Sequence, residues 1–427
     1  MDIRVVLLLI TEGAAAIVLL WKLKFLLSSK DLLKSTLLLC FALFLRLCFF
    51  DKENTDYEWF LKVWVAFFRD NGGVKGLGQS IGNYNVPYLF FLSLFSYSSI
   101  RDLYLIKLLS VFFDLVLAFS GAVLIGRCGG SPRKQLICFF SVLFLPTVVL
   151  NSAYWGQCDS IYVSLAILGI DFALPDKNGK AYPALSVICI GMSFAFKLQA
   201  VFLMPLWVIL WSWKKHKSYW AILFPATYIV MMLPAVIEGR TLREVLLFYL
   251  NQADTVGSAL NYNAPSLTAL MRNVTNPEKA SQLLIVFAFF SMTMLVLAGI
   301  LLRKNQTTGE ILAFSVLISI IIPFFLPHMH DRYFYAADVL SVILAVYKLR
   351  FLPAAIGIQF GSLVCYIAYI SGHYIRLGQS SFYLTNDKGA IAVLASFLWI
   401  SACFIGIISD PRSIKGLRLN DNNFNSN

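Results

Sequence analysis

The fold class the sequence predicts is an all-α polytopic membrane protein, and three observations predict it. Of 427 residues, 59% are hydrophobic and only 14% charged, with a mean hydropathy of +0.74, a balance foreign to ordinary globular domains. Apolar runs of membrane-spanning length recur from end to end, as at 5–20 and 282–302. Those runs are continuous rather than alternating, which excludes a β-barrel. The net charge of +12 would suggest nucleic acid in a soluble protein. Here the basic residues form short clusters between apolar runs, the positive-inside pattern, so no nucleic-acid partner is expected. The eight cysteines lie mostly in apolar runs without C-x-x-C spacing and read as small hydrophobes, neither disulfide framework nor zinc site.

The first run carries no small-residue cleavage site and continues through Trp21 to Leu27, so it reads as a retained helix. Basic clusters follow at 22–34, 126–134, 176–180, 214–217, 303–304, 348–350 and 411–418. If all face the cytoplasm, two spans separate each neighbouring pair, giving about thirteen helices with the N-terminus outside. The predicted spans are 5–27, 34–50, 103–126, 135–150, 158–174, 182–197, 199–213, 219–236, 281–302, 310–326, 335–348, 352–371 and 389–408. The pair 182–197 and 199–213 is short and tightly joined, so a partial-depth pair is expected. Segment 84–97 is apolar but interrupted by Asn85 and Pro87, and reads as an interfacial helix on the outer face. The chain is expected to form one integral-membrane domain, 1–427. The long loops 51–102, 237–280 and 372–388 would lie outside and the tail 409–427 inside, so chemistry is expected on the extracytoplasmic side.

The first of these loops, DKENTDYEWFLKVWVAFFRDNGG, opens with Asp51, Glu53, Asp56 and Glu58. Beyond them Trp59, Phe60, Val63, Trp64, Phe67 and Phe68 recur at helical spacing, predicting an amphipathic helix at the membrane surface. An aspartate beneath such a helix is well placed as a general base, although a solvated acidic loop with an aromatic belt has the same composition. NYNVPY and NYNAPS repeat one pattern at 83–88 and 261–266. Asn83, Tyr84, Asn85, Asn261 and Asn263 offer amides and an aromatic face suited to hydroxyl-rich ligands, though such residues also build ordinary turns.

In YWGQCDS (154–160), Gly156 permits a close turn and Trp155 would anchor the interface, while Gln157 and Asp159 would point into a cavity. Lys197 lies between two apolar segments without an acidic neighbour in sequence, so a carboxylate or phosphate from elsewhere must meet it. Lys107 and Asp114, in one span, form a structural pair or line a cavity, and Arg46 is placed to snorkel. LPHMHDRYFY (326–335) offers His328, His330, Asp331 and Arg332. No companion Cys/His pair exists and His373 is the only other histidine outside, so the stretch suits a phosphate better than zinc. No metal site is assigned; the first-loop carboxylates could take Mg²⁺ or Mn²⁺, but their spacing does not demand it.

Carboxylates, amide-rich loops and cations at a membrane boundary together match a substrate with a lipid tail, a phosphate and a sugar. The ordered series TDYEWFLKVW, NGG, NYNVPYLFFLSL, LNSAYWGQCDSIYVSLAIL, FKLQAVFLMPL, LNYNAPSL and FFLPHMHDRYFYAADVLS carries a more specific likeness. Over about residues 40–350 it resembles the bacterial relatives of the second mannosyltransferase of GPI-anchor assembly, in the GT-C superfamily of integral-membrane glycosyltransferases. The resemblance implies inverting transfer from a polyprenyl-phosphate sugar donor to a glycan or glycolipid acceptor at the outer face of the plasma membrane. It implies a catalytic acidic residue at Asp56, with Glu58 and Asp51 as fallbacks. Gln157 and Asp159 match the family's WGQ-x-D turn, Lys197 and Gln199 its K-x-Q element, and His330 and Arg332 its H-x-R-Y element. Donor-phosphate binding is thereby expected of Arg332, His330, His328 and Lys197. Sugar or acceptor binding is expected of Asn83, Tyr84, Asn85, Gln157, Asp159, Gln199, Asn261 and Asn263. The family often carries lysine where this chain has His328 and glutamate where it has Asp331. Lysine is a poor metal ligand at neutral pH, which favours phosphate; the sugar does not carry over. A transporter or flippase of lipid-linked glycans would share the cations but need no base. A ligase would want clustered arginines, whereas Arg240, Arg243 and Arg272 are scattered.

Overall fold

A computed structural model of the chain describes residues 2–176, 178–253, 257–271, 274–302, 308–376 and 383–409. Lys177, Arg272, the 303–304 cluster and the tail beyond 409, with its 411–418 cluster, lie outside the described residues. The protein is nearly all-α, with two short strand pairs. Each predicted span overlaps a helix, but length separates them. Among the described residues, six helices are long and apolar enough to cross a membrane: Ile3–Lys22, Asp102–Arg127, Ser218–Ile237, Pro277–Leu301, Leu349–Ser371 and Asn386–Phe404. A seventh results if Pro132–Leu143 and Pro146–Tyr154, bent by 50°, count as one. Pro183–Phe196 has 14 residues, about 21 Å of helix against about 30 Å of hydrocarbon, so composition alone overstates its reach.

Packing divides the chain into two compact units, one of Met1–Met204 with His216–Ser258, the other of Pro205–Lys215 with Ala259–Asn427. In the first unit, Asp102–Arg127 packs against Asp159–Ala173 and Pro132–Leu143, and Asp159–Ala173 against Pro183–Phe196. The first loop packs one face of its helix into this unit's core. Its helix starts as a π-helical turn, Tyr57–Leu61, and continues as Lys62–Asp70. The expected single apolar stripe splits: Trp64 is 5% and Phe68 0% exposed, while Trp59, at 72%, Phe60 and Val63 face outward. The stretch Val86–Phe95, expected as an interfacial helix, packs one side into the same core. Val86, Tyr88, Leu89 and Leu92 are buried there with Trp64 and Phe68.

The charges inside this unit pair differently from the sequence expectation. Arg46 does not snorkel; it is fully buried and donates from Nε to Asp114 Oδ2 at 2.9 Å and from Nη2 to the Leu143 carbonyl at 2.8 Å. Ser152 Oγ donates to the same Asp114 oxygen at 2.5 Å. Lys107, expected either to pair with Asp114 or to line a cavity with it, donates to the carbonyls of Phe49 and Lys52 at 2.7 and 2.6 Å, tying down the end of the second helix. A guanidinium satisfies a buried carboxylate with several donors at once, whereas an ammonium suits a ring of carbonyls.

The expected partial-depth pair also separates. After Pro183–Phe196, Lys197 is extended, Leu198–Phe202 forms a 3₁₀ turn, and Pro205 starts a helix belonging to the second unit. That helix, Pro205–Lys214, packs on Pro277–Leu301, where Trp213 Nε1 donates to the Gly299 carbonyl at 2.8 Å. Gly361 and Gly389 bring Leu352–Ser371 and Asn386–Ser409 together backbone to backbone. Asn261–Tyr262 pairs in parallel with Met329–His330, joining two motifs far apart in sequence.

Candidate functional site

In the first unit, four sequence motifs converge on Asp56. Trp155 Nε1 donates to Asp56 Oδ2 at 2.9 Å and Gln157 Nε2 donates to the same oxygen at 2.7 Å. Gly156, at φ +72°, turns the chain between them so that both side chains reach one atom. Two π-helical turns frame the arrangement, Tyr57–Leu61 directly after Asp56 and Leu150–Tyr154 directly before Trp155. Such turns are frequent at functional sites. Asn54 ties the two segments together: Nδ2 donates to the Trp155 carbonyl at 2.9 Å and Oδ1 accepts from the Tyr57 amide at 3.1 Å.

From Gln157 the network runs inward. Tyr84 Oη donates to Gln157 Oε1 at 2.9 Å, and Lys197 Nζ lies 5.7 Å from the centroid of the Tyr84 ring. Lys197 pairs with Asp159 Oδ1, and Asn151 Nδ2 donates to Asp159 Oδ2 at 2.8 Å. Both members of this ion pair are buried. The carboxylate that Lys197 needs is thus supplied by Asp159, so these two expected ligand-binding residues satisfy each other.

The remaining first-unit candidates stand apart from this cluster in their contacts. Asp51 Oδ1 accepts from Tyr104 Oη at 2.5 Å, and Glu58 pairs with Lys62 at 3.1 Å on the surface. Glu53 pairs with Arg101. Asp51, Glu53, Asp56 and Glu58 thus share no partner, and among the described residues no group of three or more His, Cys, Asp or Glu could hold a metal ion. Asn85 is a buried helix cap: Oδ1 accepts from Val86 N at 2.9 Å and Nδ2 donates to Tyr228 Oη at 3.2 Å. Asn83 is exposed and Gln199 half-buried in the 3₁₀ turn. Tyr57 Oη donates to Asp102 at 2.8 Å; burial first, then this carboxylate, raises its hydroxyl well above the ordinary tyrosine range.

The second unit holds the other candidates. The His330 ring stacks on Tyr262, centroids 4.8 Å apart and planes 10° from parallel, and Arg332 Nε is 4.0 Å from Asp331. His328, with φ +62°, is absorbed by structure: Nδ1 meets the Ala259 carbonyl at 2.7 Å and Nε2 meets Ser281 Oγ at 3.0 Å. Asn261 Nδ2 donates to the Ala264 carbonyl at 3.1 Å and to Thr268 Oγ1 at 2.8 Å. Asn263 Nδ2 donates to the Cys365 carbonyl at 2.8 Å, and its Oδ1 accepts from Tyr374 Oη at 3.0 Å. Both asparagines line a cavity of about 570 Å³.

Sequence reasoning misassigned Trp155, which is 1% exposed and holds Asp56 rather than anchoring an interface. Its place beside Gln157 in one motif was the available signal. It missed Asn54, Asn151 and Tyr228, whose partners lie up to 143 residues away. No protein-family model matches the chain, and no curated protein matches it either.

Proposed function

We propose that the chain is a membrane-embedded glycosyltransferase of the GT-C type, moving a sugar from a polyprenyl-phosphate donor to a glycan or glycolipid acceptor. On this reading the short apolar helices complete about thirteen crossings, and the chemistry faces the outer side of the plasma membrane. The observation that carries it is Asp56, oriented by Trp155 and Gln157 and linked through Tyr84 to the Lys197–Asp159 pair. Two N–H donors on one oxygen fix the direction of the carboxylate, as a positioned base requires. Asp56 takes the proton of the acceptor hydroxyl as that oxygen attacks the anomeric carbon. The bond from that carbon to the phosphate oxygen breaks, and polyprenyl phosphate departs with the electron pair, inverting the centre. A phosphate is a good leaving group and departs without a dedicated acid. Lys197, already matched by Asp159, positions the Tyr84–Gln157 arm. The test is incubation of the purified protein with polyprenyl-phosphate mannose, glucose and galactose. Sugar release or transfer from at least one donor is expected. Movement of a lipid-linked glycan across a bilayer with no turnover would favour a flippase.

A further inference from the structure

We propose that the cavity of the second unit is a carbohydrate-binding pocket that takes a pyranose ring. That the bound sugar is the acceptor rests on the transfer reading above; that a sugar binds does not.

The cavity, about 570 Å³, falls within the range of about 300–1,000 Å³ typical of small-molecule sites. Its wall comes from the NYNAPS loop, the end of the helix Leu352–Ser371 and the start of Asn386–Ser409. A pyranose presents apolar C–H faces and a rim of hydroxyls that donate and accept. Tyr369 and Tyr374 supply aromatic surface for the faces, and Asn263, Asn386 and His373 supply amides and an imidazole for the rim, while Asn261, whose amide is taken up within its own loop and by Asn386, holds the wall. Among the described residues the wall contains no Asp, Glu, Lys or Arg, which suits an uncharged hydroxylated ligand and not a phosphate.

The wall is set before a ligand arrives. Asn263 is held in the left-handed region, at φ +62°, by its bonds to Cys365 and Tyr374. Asn386 Nδ2 donates to Asn261 Oδ1 at 3.3 Å. A side-chain amide has two N–H groups and a carbonyl, so Asn386 retains capacity beyond that bond. His373 stands exposed at the rim. Groups already ordered by one another lose little freedom on binding, which favours affinity.

The experiment is saturation-transfer NMR on the protein in lipid nanodiscs, since sugar-based detergents would compete. The probes are the methyl α-pyranosides of mannose, glucose and galactose, with inorganic phosphate as competitor. Transfer to the ring protons of at least one glycoside is expected, unaffected by phosphate. Affinity should fall about tenfold or more in a folded His373→Ala/Asn386→Ala variant, the loss expected for two ligand hydrogen bonds. No signal from any glycoside, displacement by phosphate, or unchanged affinity in the double variant overturns the pocket. Glycoside binding in a protein that transfers from no donor supports the pocket and rejects the transferase.

Discussion

Replacing Asp56 with asparagine separates what this carboxylate holds from what it does. Its Oδ2 accepts from Trp155 Nε1 at 2.9 Å and Gln157 Nε2 at 2.7 Å. An asparagine that puts its amide oxygen in that place keeps both bonds, now neutral instead of charge-assisted. A bond to a charged group is worth about 1.5–3 kcal/mol and a neutral one about 0.5–1.5, so the two together weaken by about 2–3 kcal/mol. The base, by contrast, is lost entirely. General-base catalysis contributes about 10²–10⁴-fold, or about 3–5 kcal/mol of barrier. Asp56→Asn should therefore remain folded in nanodiscs, with a modestly lower unfolding midpoint, while transfer from the accepted polyprenyl-phosphate sugar drops by at least about a hundredfold. Asp56→Ala should be less stable than Asp56→Asn, because the buried Trp155 N–H is left without this acceptor. A folded Asp56→Asn protein transferring sugar at a rate close to wild type would refute the assignment of the base.

Two further perturbations test the scaffold around it. Lys197→Met and Asp159→Leu each strand a buried charge and should each cost about 3–5 kcal/mol, whereas the double variant should recover much of that loss. Chemical unfolding in mixed micelles reads the difference; additive costs would mean the pair is not coupled. Tyr57 gives a pH signature. With its folded-state pKa raised, the stability it contributes is fully present below about pH 10 and is lost as pH rises beyond that, since the unfolded tyrosine ionises first. Tyr57→Phe should cost about 1 kcal/mol at neutral pH and flatten the alkaline fall of the unfolding midpoint. Parallel pH curves for the two proteins would contradict this.

Helix positions were legible in the sequence because a continuous apolar run leaves the backbone no better way to satisfy its polar groups in lipid than a helix. Hence every predicted span overlaps a helix, from Ile3–Lys22 to Asn386–Ser409. Membership of the site was partly legible too: Asp56, Tyr84, Gln157, Asp159 and Lys197 carry polar or charged groups beside apolar runs, where each needs a partner. Which partner was not. Lys197 could have met a phosphate and meets Asp159; Asp114 could have met Lys107 seven residues away and meets Arg46 sixty-eight away. Pairing between buried charges depends on distances across helices, and sequence separation does not encode those. The first loop shows the same limit. An apolar pattern at helical spacing suits a membrane surface and a protein core alike, and the sequence does not say that Trp64 and Phe68 take the core while Trp59, Phe60 and Val63 stay exposed. The sequence by itself determined the solvent the chain suits and the residues that cannot stand alone. Only the tertiary structure decided that Trp155 and Gln157 aim one carboxylate oxygen, because that convergence exists only once Gly156 has turned and two π-helical segments have been brought side by side.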